Sequence, residues 1–180
     1  MTNKNNNGIL SGVKILDITR MLSGPYCTMM LADHGAEVIK IESEEGDSSR
    51  ANGPFRKDDP KREWAGYFVS LNRSKKSIKL DLKTEIGKEN FKKLVKQADV
   101  IVENFRPKVM ERLGLQYEEL AKINPRLVYG AIRGFGDPRS GESPYAKWPS
   151  YDVVAQAMGG IIGITGANTN SPTKVGPGVG

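Results

Sequence analysis

Residues 13–42 read VKILDITRMLSGPYCTMMLADHGAEVIKIE, and this stretch decides the architecture. Residues 13–18 (VKILDI) form a short apolar run of the length of a buried strand. Residues 19–24 are a loop, after which Pro25 opens the segment YCTMMLADHG. A proline at a first helical position and Gly35 just past the end are helix punctuation. Residues 37–42 (EVIKIE) read as the next strand. Strand, loop, helix and strand within about thirty residues make a β-α-β unit.

The same alternation continues outward. Residues 43–66 are polar and rich in Gly, Pro, Asp and Arg, a length typical of a functional or disordered loop. Residues 68–71 and 77–82 (SIKLDL) are expected to be strands flanking the polar bend 72–76 (NRSKK). Thr84 is expected to cap a helix running to Gln97, with Ile86, Phe91, Leu94 and Val95 on its apolar face. A buried strand follows at 99–103, short helices at 107–113 and 117–123, a strand at 127–132, and a helix at 152–158 ended by Gly159 and Gly160. The expected fold class is therefore α/β, a mostly parallel Rossmann-like sheet with flanking helices. Ligands of such sheets gather at the carboxyl ends of the strands. Those ends are Thr19-Arg20, Glu42-Ser43, 104–106 (NFR) and 133–135 (RGF), and three of the four carry an arginine suited to phosphate. The G-x-G-x-x-G pattern is absent after the first strand, where Gly24 stands alone, so no motif specifies a nicotinamide cofactor.

Composition narrows the function classes. With 180 residues, 38% of them hydrophobic, the chain can bury one ordinary core. Residues 1–9 are a polar, Asn-rich tail without the apolar centre of a secretory signal, and no apolar run is long enough to span a membrane. The one cysteine, Cys27, cannot form an internal disulfide and fits a reducing cytoplasm. One Cys and one His offer no zinc set, so no metal is expected. A formal net charge of +6 favours an anionic partner. Nucleic acid is disfavoured, because the aromatic residues are not interleaved with basic patches. His34 reads as a helix cap or surface residue, Cys27 as packing, and Lys88, Lys92, Lys93 and Lys96 as a solvated face. Asp17 closes its strand and Asp152 caps its helix. Arg73, Lys75 and Lys76 admit two readings, a charged hairpin tip or an anion site.

Several blocks recur together: 16–17 (LD) before 24–25 (GP), 31–42 (LADHGAEVIKIE), 72–78 (NRSKKSI), 98–107 (ADVIVENFRP), 124–128 (NPRLV) and 134–136 (GFG). In this order and spacing they resemble the N-terminal part of the family III CoA-transferases (the CaiB/BaiF-like group). The resemblance covers residues 10–180. It implies the first part of a CoA-binding large domain in a larger two-domain protein that forms an interlocked homodimer. Coenzyme A or acyl-CoA and a free carboxylic acid are the implied partners, with no nucleic acid and no membrane. Residue by residue, Arg20, Met21, Leu22 and Ser23 match a CoA-contacting loop, although Arg20 could also serve only as a cap. Lys75 and Lys76 match a basic pair, Asn104, Phe105 and Arg106 a loop lining the CoA channel, and Arg112 a helical arginine near the phosphates. Arg20 and Leu22 stand where formyl-type transferases carry His and Gln. Tyr151 precedes Asp152 where the related racemases carry His, so the racemase base is missing.

The chain's last residues, 174–180 (KVGPGVG), resemble the glycine-rich segment that precedes the family's nucleophilic aspartate. That aspartate is expected just beyond Gly180, leaving no catalytic residue within the chain and the 180-residue piece inactive alone. A non-catalytic CoA-binding module is the alternative reading.

Overall fold

In the computed structural model, residues 8–168, 170–176 and 178 are described. The chain divides into two compact units, Met1–Ile132 and Arg133–Gly180. The first contains strands β1 (Lys14–Asp17), β2 (Glu37–Glu42), β3 (Lys75–Lys79), β4 (Val100–Glu103) and β5 (Val128–Ala131). Its helices are α1 (Ser23–Asp33), α2 (Gly66–Leu71), α3 (Glu85–Val95), α4 (Val109–Leu113) and α5 (Tyr117–Ile123). All four strand pairings are parallel, in the order β3-β2-β1-β4-β5. This is the mostly parallel, helix-flanked α/β sheet that the sequence predicts. The chain steps outward from β1 to β3, then crosses to the other side of β1 to lay down β4 and β5.

The two faces of the sheet differ chemically. Side chains alternate along a strand, so the register puts Leu16, Ile39, Ile41 and Ile101 on one face. That face packs against Phe91 and Val95 of α3, Met110 of α4 and Leu120 of α5, and it is apolar except for the buried Glu103 at the end of β4. On the opposite face, Ile15, Val38 and Val102 meet Ala32 and Ala36 at the end of α1. Farther along the same face, toward the carboxyl ends, come Asp17, Lys40 and Glu42, all buried. One half of this face is therefore a hydrophobic core and the other half a layer of buried charge.

Three local expectations are corrected. Residues 68–71, expected as a strand, belong to α2, because Phe68 and Leu71 are the buried pair at helical spacing and Asn72 Nδ2 donates back to the Phe68 carbonyl at 2.9 Å. The strand expected at 77–82 is β3, two residues earlier, so Lys75 and Lys76 lie in the strand and the turn falls on Ser74, at φ 63°. Ile86, expected on the buried face of α3, is 73% exposed, and α3 stops at Val95. The other helices and strands stand within two residues of their expected ends.

The second unit contains helices α6 (Asp152–Met158) and α7 (Ile161–Ile164). Tyr151, not Asp152, occupies the N-cap of α6, while Asp152 Oδ2 accepts from Gln156 Nε2 at 2.7 Å. The buried Gln156 amide also accepts the Val175 N–H at 2.9 Å. Phe135, Tyr145 and Trp148 cluster, Phe135 and Trp148 edge-on and the other two pairs tilted, with Tyr145 and Trp148 ring centroids 4.8 Å apart.

The entry to α3 yields a test of the packing. The Thr84 hydroxyl accepts from the Gly87 N–H at 3.0 Å, a capping bond. A Cβ on Gly87 would lie 1.8 Å from the Asp81 carbonyl oxygen. Helix propensity alone favours Gly87→Ala by about 1 kcal/mol. The clash is with backbone and cannot relax cheaply, so the variant is expected to lose about 1–3 kcal/mol in urea unfolding. A neutral or stabilised variant would contradict this packing.

Candidate functional site

The strand order reverses between β1 and β4, and the crevice outside their carboxyl ends is where open α/β sheets bind ligands. The loop leaving β1 carries Arg20 and the loop leaving β4 carries Asn104. They interlock: the Arg20 N–H donates to Asn104 Oδ1 at 2.8 Å, and Asn104 Nδ2 donates to the Arg20 carbonyl at 2.7 Å. The exposed Arg20 guanidinium lies over the Phe105 ring, 5.7 Å from its centroid, a cation–π contact. A planar, permanently charged fork at a parallel sheet's switch point is suited to a phosphate-bearing ligand.

Met21 follows in the left-handed region at φ 68°, and Leu22 is the N-cap of α1. The loop turns back tightly, since a Cβ on Gly24 would sit 2.3 Å from Thr19 Cβ. Ser23 begins α1, whose first turn holds no acidic side chain, leaving the positive end of the helix dipole unopposed there. Four sequence-derived candidates (Arg20, Asn104, Phe105 and, one residue on, Arg106) are thus gathered on two adjacent strand ends, with Met21, Leu22 and Ser23 continuing the first loop. Arg106 and Arg112 are both exposed. Arg112, on α4, donates from Nε to the Lys108 carbonyl at 3.3 Å.

Lys75 and Lys76 are placed elsewhere. They start β3, at the amino end of the sheet. Lys76 pairs with Glu37 Oε1 at 2.5 Å on the surface. The Lys75 ammonium is enclosed: it lies 2.9 Å from each of Asp17 Oδ2, the Pro25 carbonyl and Asn72 Oδ1. These three acceptors match its three donors, so none is left for a phosphate, and burial pushes its pKa down against the opposing pull of Asp17. A basic residue that the sequence reading passed over, Lys83, lies beyond β3. It and Arg20 both help hold the exposed Glu45 carboxyl below its usual range, after hydrogen bonds from the Glu45 backbone and Ser43. Its sequence signal was a lysine just past a strand's carboxyl end.

Beneath the loops lies the buried charge. Asp17 accepts from the Thr19 N–H at 2.9 Å and from the Thr28 hydroxyl at 2.7 Å as well as from Lys75. Glu42 accepts Arg50 Nε at 2.8 Å and Nη2 at 2.7 Å, a bidentate pair, together with the Asp47 N–H and the Ser77 hydroxyl. Arg50 in turn lies 3.7 Å over the Phe68 ring. Burial pushes the Glu42 carboxyl up, but the Arg50, Ser77 and Asp47 hydrogen bonds outweigh it and hold the pKa at about 2. Among the described residues no group of His, Cys, Asp and Glu is arranged to hold a metal, and no helix is long and apolar enough to cross a membrane.

A family model described as CoA-transferase family III matches residues 10–180. A succinyl-CoA:mesaconate CoA-transferase of Haloarcula hispanica is 51% identical over 173 residues, covering 96% of this chain and 44% of the relative. An acetyl-CoA:oxalate CoA-transferase of Acetobacter aceti is 46% identical over 170 residues, 94% of this chain and 41% of the relative. Among solved structures, a CAIB/BAIF family protein from Brucella suis matches with a TM-score of 0.86 at 42% identity, covering 96% of this chain and 44% of that one. The chain spans less than half the length of these relatives.

The Glu42 cluster gives the site a defined pH response. Its folded pKa is depressed from 4.5 to about 2, so the stabilisation is present above the unfolded pKa and is lost as pH falls through the folded one. The shift corresponds to about 3 kcal/mol. Glu42→Gln is expected to lower stability at pH 7 and to flatten the loss between pH 5 and 2 in unfolding curves. An unchanged acid limb would contradict the assignment.

Proposed function

Because the chain belongs to CoA-transferase family III, we propose that its β1/β4 crevice binds the CoA moiety of an acyl-CoA and that the whole protein moves CoA from that thioester to a free carboxylic acid. The observation that carries this reading is the interlocked pair of loops, with Arg20 tied to Asn104 and laid over Phe105 at the switch point. Arg20, Met21, Leu22, Ser23, Asn104, Phe105, Arg106 and Arg112 are the proposed CoA-contacting residues, with Lys83 added at the rim. Lys75 and Lys76 are left out. Residues 10–180 would contribute the N-terminal part of the large, CoA-binding domain, and the whole protein would act as a homodimer.

In the proposed mechanism an aspartate following the 174–180 segment attacks the thioester carbonyl, giving a mixed anhydride and CoA thiolate. The thiolate then attacks the aspartyl carbonyl, releasing the donor acid and leaving an enzyme–CoA thioester. The acceptor carboxylate attacks that thioester in turn, forming a second anhydride and freeing the thiolate. Attack of the thiolate on the acceptor's acyl carbon yields the new acyl-CoA and restores the aspartate. Glycine-rich backbone N–H groups are suited to stabilise each oxyanion. The first acceptors to try are dicarboxylic acids, since two of the relatives are named for mesaconate and oxalate.

Titration of the chain with CoA tests the binding step. Arg20→Ala is expected to weaken binding about tenfold or more, the loss of one charge-assisted contact. Absence of CoA binding by the unaltered chain would overturn the reading. For the whole protein, mass spectrometry after mixing with succinyl-CoA is expected to find CoA attached to one aspartate. Turnover without any adduct would contradict the aspartyl route.

A further inference from the structure

The backbone of residues 19–21 is held by side chains at five successive polar groups. The Thr19 N–H donates to Asp17 Oδ1 at 2.9 Å, and the Thr19 carbonyl accepts from Lys40 Nζ at 2.9 Å. Asn104 holds both the N–H and the carbonyl of Arg20, at 2.8 and 2.7 Å. The Met21 N–H points to Asp47 Oδ1 at 3.4 Å. Lys40 and Asp47 also face one another, Nζ to Oδ2 at 3.0 Å, each with 1% of its side chain exposed. Asp47 Oδ1 further accepts the Ser49 N–H at 2.9 Å, so the same carboxylate fixes the chain on both sides.

Stability alone is a weak reason for this pair. Taking two charges out of water costs several kcal/mol per ion, and well-packed apolar replacements are often neutral or better. The pair instead spans the loop: its ammonium sets the carbonyl before Arg20, and its carboxylate sets the N–H after it. Met21 lies between these anchors and α1 in a left-handed conformation, of the kind that persists only where its surroundings over-determine it. We propose that the Lys40–Asp47 ion pair is a positioning device that locks residues 19–21 before ligand arrives, so that Arg20 meets CoA without an ordering cost. The inference rests on the CoA reading above and adds to it two residues that do not touch the ligand.

The test compares the wild type with the neutral double variant Lys40→Met/Asp47→Asn, which leaves no lone buried charge, by calorimetric titration with CoA and by thermal unfolding. A positioning role predicts a folded double variant whose Kd for CoA is raised about tenfold. A purely structural role lowers the unfolding midpoint and leaves the Kd of the folded protein unchanged. A Kd within twofold of wild type therefore overturns the inference while sparing the CoA reading. Failure of the wild type to bind CoA overturns both. Should the double variant not fold, hydrogen exchange on the wild type decides: the Arg20 and Met21 amides are expected to be protected without CoA. Free exchange of these amides until CoA is added would overturn the device.

Discussion

Asp17 has no exposed surface, yet it is the point from which the site is built. Its carboxylate takes Lys75 from β3, Thr28 from α1, and the Thr19 N–H from its own loop. One buried anion thereby ties the central strand to an outer strand, to the helix above, and to the segment that carries Arg20. Removing one partner of such a pair would strand the other in low dielectric, a cost of about 3–5 kcal/mol. The Lys40–Asp47 and Glu42–Arg50 pairs extend the same layer across β2 toward the 43–66 loop. Apolar packing on one face and paired buried charge on the other meet under the loops of the edge proposed to bind CoA.

The fold was legible because residues 13–42 and 84–103 carry strong local signals: apolar runs, a capping threonine and, in Gly35, a helix-ending glycine. The charged layer was not. In EVIKIE, the alternation of Val38, Lys40 and Glu42 with Ile39 and Ile41 looks like a half-exposed strand. In fact Lys40 and Glu42 are buried, because the 43–66 loop supplies their counter-charges, Asp47 and Arg50. The α2 segment misled for a related reason. Phe68, Val69 and Leu71 have the composition of a strand, and only the helical spacing of the buried Phe68 and Leu71 distinguishes it.

The candidate site divides along the same line. Arg20, Asn104 and Phe105 were found from the rule that ligands collect at strand ends, and those strands are neighbours at the switch point. Lys75 and Lys76 became candidates through the resemblance, on a charged bend whose position shifted once β3 began two residues earlier than the pattern suggests. A lysine that reads as a surface cation became a structural one because Asp17, invisible as its partner in sequence, lies 58 positions away.

A crystal structure of the protein with CoA bound tests this site most directly. CoA is expected in the crevice between the carboxyl ends of β1 and β4, contacting Arg20 and Phe105. The backbone of residues 19–21 is expected to lie as it does without ligand, still held by Lys40, Asn104 and Asp47. CoA bound at another edge of the sheet, or a 19–21 loop rebuilt around the ligand, would contradict the proposed site.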